Sequence, residues 1–260
     1  MKVIILGSGS KGNATYIETK EAKILIDAGI SYKRIYEGLL KHNILLESLD
    51  AIIITHEHID HVMHLAMISK KTKAKIYMNE ESFENLPNSV MVNLQISKVY
   101  FIKPELKYKI GDIFIVPISL FHDTKSIYGY LIKAENKNIA YLTDTGHLLE
   151  KYYPLLRQME TIIIESNHDV EMLLNSKRDY RLKQRILSDK GHLSNEQCQT
   201  ILKNIITENT RNIVLAHLSE ECNDPSLAYE VNKQVINDNI RLYVASQTNP
   251  LEIDMEEDCA

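Results

Sequence analysis

Short apolar runs recur along this 260-residue chain, and most of them stop at glycine or at a polar residue. Runs with strand character predict three opening strands at residues 3–6, 14–17 and 23–26, then one at 51–54. Between them, Ser31 is placed to cap a helix that carries Ile35, Tyr36, Leu39 and Leu40 on one face. Past Ile54 the pattern predicts a helix over 61–71, a strand at 74–78, a short acidic helix over 80–86 and a strand at 98–102. Two hairpins come next, one over 108–121 turned at Gly111-Asp112, the other pairing 128–134 with 139–142. Strands at 161–164, 212–216 and 242–245 complete the β content. Ser194 and Gln197 form a capping box for a helix to about residue 207, and Asp224-Pro225 opens a last helix before an acidic tail at 254–258. Alternation of strands with helical segments predicts helices packed on sheet faces. With no repeat, low-complexity stretch or linker, one domain over residues 1–260 is expected.

The polar residues at the strand ends carry more chemistry than the strands themselves. The run 51–54 delivers Thr55-His56-Glu57-His58-Ile59-Asp60-His61, the strand at 113–118 leads to His122, and the one at 139–142 leads to Asp144. Strand 161–164 delivers Glu165-Ser166-Asn167-His168-Asp169, and strand 212–216 delivers His217. Imidazoles and carboxylates at several strand ends on one edge would make a preorganised site for two cations. Asp27 ends the third strand, where it would either cap a turn or accept the second ring N–H of a metal-bound histidine. The turn 7–13, rich in Gly and Ser, reads as a tight turn in preference to an anion cradle, since no phosphate-loop pattern accompanies it. His64 is expected on a helix face and His147 at a helix entry.

A net charge of −5 excludes a generally basic surface, so a nucleic-acid partner would have to meet a local basic patch. One such segment exists, with Lys177, Arg178, Arg181 and Arg185 around a tyrosine. Cys198, Cys222 and Cys259 are odd in number and widely spaced, which argues against a disulfide framework and for a reducing cytoplasm. No apolar run approaches membrane-spanning length.

The run H-x-H-x-D-H at 56–61 resembles the signature of the metallo-β-lactamase superfamily. Together with residues 7–13, 165–169, 190–196 and 216–223, it makes the whole chain similar to the bacterial YycJ/WalJ-type hydrolases. One departure is His64, where the superfamily pattern usually has Gly. The resemblance implies a four-layer αββα sandwich with two mixed sheets. It implies that His56, His58 and His122 hold one divalent metal, that Asp60, His61 and His217 hold a second, and that Asp144 bridges them. Zinc is the default for such ligands, with manganese or iron as alternatives.

The implied activity is phosphodiester hydrolysis, as a 5'-to-3' DNA exonuclease associated with mismatch repair, with DNA preferred over RNA. Asp60 and His192 are the candidate catalytic residues, His192 as a proton donor to the leaving oxygen. The basic segment would track the strand, with His168 and Ser194 as further substrate contacts. Two rival classes share these motifs: a thioesterase or lactonase, because the same cluster polarises carbonyls, and a non-catalytic regulatory or redox protein.

Overall fold

The computed structural model describes residues 1–255, so the predicted acidic tail from Glu256 onward lies outside the described residues. The first sheet contains β1 (Lys2–Gly7), β2 (Ala14–Glu18), β3 (Lys23–Ile26), β4 (Ala51–Ile53), β5 (Lys75–Met78) and β6 (Val99–Phe101). The second runs from β7 (Tyr108–Ile110) through β8 (Ile113–Ser119), β9 (Tyr128–Ala134), β10 (Lys137–Leu142), β11 (Thr161–Glu165) and β12 (Asn212–Ala216) to β13 (Arg241–Val244). The chain then returns to the first sheet, where β14 (Leu251–Ile253) pairs antiparallel with β1. Among the described residues each sheet has seven strands, antiparallel on one side and parallel on the other.

Strand alternation explains the layering. On β1, Val3 and Ile5 enter the core between the sheets with Ile115 and Tyr130 of the second sheet. Ile4 and Leu6, on the other face, pack with Ile35 and Leu39 of α1 (Tyr32–Leu40). On the second sheet, Ile162 and Ile164 meet Leu202 and Ile205 of α9 (Asn195–Ile205), completing the four-layer αββα sandwich. A strand buried on both faces reads as a continuous apolar run, which is why 51–54 and 161–164 lack alternation.

Ser31, Ser194 and Asp224 cap their helices as expected, and the Ser194–Gln197 capping box is reciprocal. The predicted helix over 61–71 is broken. Instead α2 (Ile59–Val62) holds the ligand turn, α3 (Leu65–Lys71) comes after it, and His64 between them is the N-cap of α3, not a helix-face residue. Docking forces the break: Ala28 N donates to His61 O (2.7 Å), and His64 N donates to Ala28 O (2.9 Å). Gly29 permits it, because a Cβ there would stand 1.5 Å from the Asp60 carbonyl oxygen. His147 does not enter a helix; it forms an isolated bridge with Phe121. Short helices α4 (Glu80–Glu84), α5 (Asn88–Met91) and α6 (Tyr153–Leu156) fill the outer layers. Two more, α7 (Val170–Asn175) and α8 (Tyr180–Ile186), form the basic segment's setting.

Candidate metal centre

The ligand turn is clamped between the sheets by groups other than the candidate ligands themselves. Tyr130 of β9 donates its hydroxyl to Ile54 O (2.6 Å), and Tyr128 N donates to Thr55 O (3.2 Å). Behind the turn, Asp27 Oδ1 accepts from Thr55 N (2.9 Å), while its Oδ2 meets His61 Nδ1 at 2.8 Å. These anchors place His56, His58, Asp60 and His61 at the C-terminal edge of the first sheet. The second sheet contributes His122, Asp144 and His217 from the ends of β8, β10 and β12.

Asp27, Asp144 and His217 all have positive φ, at 62°, 58° and 54°. A left-handed residue directly after a strand turns the chain sharply enough to aim its side chain along the sheet edge. For non-glycine residues this costs on the order of 1–3 kcal/mol each, a kind of strain that clusters at functional sites.

Ligand-type atoms of His56, His58 and His122 lie within 4.8 Å of one another, as do those of Asp60, His61, Asp144 and His217. Asp144 stands between the sets, with Oδ2 3.2 Å from His61 Nε2 and Oδ1 3.3 Å from His217 Nε2 and 4.0 Å from His122 Nε2. The outer ring nitrogens are tied down. Nδ1 of His56 meets Thr55 Oγ1 (3.0 Å), that of His61 meets Asp27, that of His122 meets Gly191 O (3.0 Å), and that of His217 meets Glu165 Oε1 (2.8 Å). Each contact favours the tautomer that leaves Nε2 as the inward lone pair.

Those inward atoms include buried ones that make no hydrogen bond, His56 Nε2, His217 Nε2 and Asp144 Oδ2, the last two facing opposite charges only as ion pairs. Orphaned buried polar atoms are rare and costly, and a cation set among them would satisfy all three. The donor set thus fits a divalent metal. A further grouping of Asp144, Glu165, His192 and His217 is equally compact. It is a hydrogen-bonded wall, because Glu165 already accepts from Thr145 N (3.0 Å), Leu193 N (3.1 Å), His192 Nδ1 (2.7 Å) and His217 Nδ1 (2.8 Å). Four contacts use a carboxylate's acceptor capacity.

Electrostatics divide the histidines. Burial would lower the His61 and His217 rings, but Asp144 and neighbouring carboxylates outweigh it, holding His61 well above its ordinary value and His217 up at about 10. Burial, reinforced by His61, pushes His56 well below the usual value, and burial also lowers His122. The buried Asp144 carboxyl is held far below its ordinary range by His217 and His61; Glu165 falls to about 2 because His192 and His217 overcome its burial. The metal-free site is a set of charge pairs that a cation would replace.

Residues 22–218 match the family model of the beta-lactamase superfamily domain. This chain belongs to the beta-lactamase superfamily. It is 38% identical to exodeoxyribonuclease WalJ of Streptococcus pneumoniae over 229 residues, 88% of this chain and 85% of that protein. It is 34% identical to exodeoxyribonuclease YycJ of Bacillus anthracis over 233 residues, 89% of this chain and 88% of that one. The WalJ/YycJ family is therefore its family within the superfamily. The fold is also that of zinc-bound PqqB from Methylobacterium extorquens (TM-score 0.73, 14% identity, 98% of this chain and 100% of that one). The metallo-beta-lactamase fold protein YhfI from Bacillus subtilis is similar as well (0.72, 17%, 96% and 98%).

In this superfamily member the metal centre floors a cavity of about 560 Å³ whose wall carries His192, Arg178, Arg185 and the apolar Leu182 and Ile186. Arg178 Nε pairs with Glu221 (3.1 Å), and Arg185 Nη1 with Asp123 Oδ2 (2.9 Å). Four expected substrate contacts are not part of the cavity. Lys177 and Arg181 are exposed on the surface outside it, because the cavity-facing side of α8 carries Leu182, Arg185 and Ile186. Ser194 is buried, its hydroxyl accepting from Gln197 N (3.2 Å) and meeting Glu196 Oε2 (2.8 Å). His168 is buried too, bridged to Ser194, and burial lowers its ring to about 4.

Sequence reasoning placed Glu165 at a strand end without giving it a role, and passed over Asp123. Glu165 had a legible signal, since it ends a strand in the same way as Asp144 and His217. Asp123 Oδ1 lies 3.1 Å from His122 Nε2 and 3.8 Å from His58 Nε2, which adjacency to His122 alone did not reveal. Asn13 from the opening turn reaches His61 Nε2 at 3.0 Å, and Ser8 Oγ accepts from His217 N (2.8 Å). That turn therefore supports the second ligand set.

Proposed function

We propose that this protein is a dinuclear metal-dependent exodeoxyribonuclease that degrades DNA in the 5'-to-3' direction in a reducing cytoplasm, the last assignment supported by the free thiols Cys198 and Cys222. The observation that carries the reading is the placement of His192. It lines the cavity above the metal ligands, with its ring centroid 4.8 Å from that of His122 and its Nδ1 tied to buried Glu165. The names of the WalJ and YycJ relatives supply the substrate class.

His56, His58 and His122 would hold one ion and Asp60, His61 and His217 the other, with Asp144 common to both; zinc is the default, manganese or iron the alternatives. When bound, such ions lower the pKa of water and neutralise charge on a phosphoryl group. The protein's own contribution is positioning. Glu165 fixes the His192 ring so that Nε2 remains available to pass a proton to the leaving 3'-oxygen of the scissile bond. Arg178 and Arg185 present guanidinium groups to phosphates on one wall, the geometry Arg offers best. Asp60 is tied to both neighbouring imidazoles, His61 Nε2 at 3.4 Å and His217 Nε2 at 3.7 Å, and orders the floor. Two arginines at the mouth also favour a phosphodiester over the neutral carbonyl of a thioester or lactone.

The test compares metal-loaded protein on single-stranded DNA labelled at the 5' or the 3' end, on matching RNA, and on a thioester. Mononucleotides released first from the 5' end of DNA are expected, and His192→Ala should slow release by roughly 10² to 10⁴ with metal content unchanged. Thioester turnover without DNA cleavage would overturn the nuclease reading.

A further inference from the structure

The first ligand set is assembled from both halves of the sandwich. His56 and His58 follow β4 of the first sheet, whereas His122 stands in the loop between β8 and β9 of the second. Their rings meet at steep angles, with centroids 4.6 Å apart for His56 and His58, 5.0 Å for His58 and His122, and 5.3 Å for His56 and His122. A metal constellation has to be held to within about 0.5 Å of its productive geometry, so the His122 loop must be fixed against the ligand turn.

Two sets of contacts do part of this. Gly191 O orients the His122 ring, but Gly191 leads into α9, which packs on the second sheet, the one that carries His122 itself. Tyr128 and Tyr130 of β9 bond to Thr55 and Ile54, ahead of the first ligand. Neither joins the ligands' own turn to the middle of the loop over residues 121–127.

Glu57 makes that connection. It stands between His56 and His58 in the chain and is 8% exposed, and its carboxylate accepts from Thr124 Oγ1 in the loop and from Ser82 Oγ of α4 (2.7 Å). The helix is fastened to the same loop, since Asn79 at its N-cap donates through Nδ2 to Ser126 O (3.3 Å) and Ser82 Oγ lies 3.0 Å from that oxygen. Burying a carboxylate is costly unless its oxygens are bonded, and both oxygens of Glu57 receive hydroxyls. Hydrogen bonds to a carboxylate are also stronger than those between neutral groups, which suits a strut.

We propose that Glu57 is a positioning residue for the first metal: through Thr124 it holds the His122 loop against the ligand turn and so sets the distance across which His56, His58 and His122 share one ion. The assignment rests on the dinuclear reading above. Glu57 acts through the loop and is itself no ligand of that ion.

Three variants separate position from charge. Glu57→Ala and Thr124→Val each remove the bond, and Thr124 is only partly buried, so its replacement by a side chain of similar shape has little packing to lose. Glu57→Gln removes the charge and can keep both contacts. Its amide oxygen accepts from Thr124, and its amide nitrogen donates to Ser82 Oγ, whose own proton then goes to Ser126 O.

The experiment titrates the metal-free protein with zinc by calorimetry and with cobalt(II) by visible absorption, and His58→Ala marks which binding step and which cobalt band belong to the first set. Glu57→Ala and Thr124→Val should each weaken that step by about 10- to 100-fold and alter its cobalt band, leaving the other step unchanged. Glu57→Gln should restore most of the affinity and the wild-type band. Because the two single variants break one and the same bond, adding Thr124→Val to Glu57→Ala should cost nothing further. Undiminished affinity in Thr124→Val, equal weakening of both steps, or a Glu57→Gln protein as weak as Glu57→Ala would overturn the positioning role while the dinuclear reading stands. A wild-type protein that binds one ion or none would instead remove the dinuclear reading, and this inference with it.

Discussion

Asp27 and His61 meet through a 2.8 Å contact between Oδ2 and Nδ1, with both side chains removed from solvent. The same carboxylate receives the Thr55 amide, so one buried acid orients both a ligand and the backbone that carries the ligand turn. Asp27→Asn keeps the volume and removes the charge. It should lower affinity for the metal of the Asp60, His61 and His217 set by about 10- to 100-fold. Calorimetric titration with zinc checks this; two undiminished binding steps would detach Asp27 from metal binding.

Direct ligands should behave differently from their supports. His58→Ala and Asp144→Ala are each expected to abolish metal-dependent hydrolysis while circular dichroism stays close to wild type, since both residues lie at strand ends outside the apolar clusters. His58→Ala should remove one equivalent of metal by elemental analysis. Asp144→Ala should affect both equivalents because its carboxylate stands between the sets.

Glu165 touches the two halves of the site through His192 and His217. Glu165→Gln should therefore reduce turnover at least about tenfold, change the pH profile of kcat, and weaken metal retention less than loss of His217 does. His192→Ala, by comparison, should affect turnover alone. Wild-type turnover in Glu165→Gln would reduce the contact to a packing feature.

Metal loading should release protons. In the metal-free protein His61 and His217 are held protonated by their carboxylate neighbours, and a metal ligand must be deprotonated. Loading should strengthen with rising pH, and titrations in buffers of different ionisation enthalpy should show net proton release. The metal-free protein's stability should take the opposite course on the alkaline side. His217, raised to about 10, contributes fully below its unfolded value of about 6.5, and the contribution is lost as pH climbs through 10. Glu165, depressed to about 2, contributes above its unfolded value of about 4.3, and that contribution is lost as pH falls through 2. Thermal unfolding after chelation should show its plateau between these unfolded values.

The basic segment should split in two. Arg178→Ala or Arg185→Ala is expected to weaken DNA cleavage, because both guanidinium groups face the cavity. Lys177→Ala and Arg181→Ala should change cleavage less than twofold, as exposed side chains away from such features seldom matter. Equal losses across all four, measured as kcat/KM on the same single strand, would restore the strand-tracking role to the whole run.

The sequence by itself determined the strands up to β13 and the caps at Ser31, Ser194 and Asp224, and the resemblance to the superfamily turned polar residues at strand ends into seven metal-ligand candidates; β14 it did not mark. These are local statements: an apolar run, a capping pattern or a polar residue at a strand end is visible within a few positions. Tertiary structure decided what stands behind each ligand. Asp27 lies 34 residues from His61, and Glu165 52 from His217. The strand end left Asp27 open as an acceptor for a ligand's ring N–H, but no local pattern names His61 as its partner, pairs Glu165 with His217, or marks the left-handed turns that aim Asp27, Asp144 and His217 inward without glycine. It also decided that Ser194 and His168 are buried, and that Arg178 and Arg185 face the cavity while Lys177 and Arg181 do not. Which side of a short helix faces a cavity depends on what it packs against, and here that contact is made by residues distant in the chain.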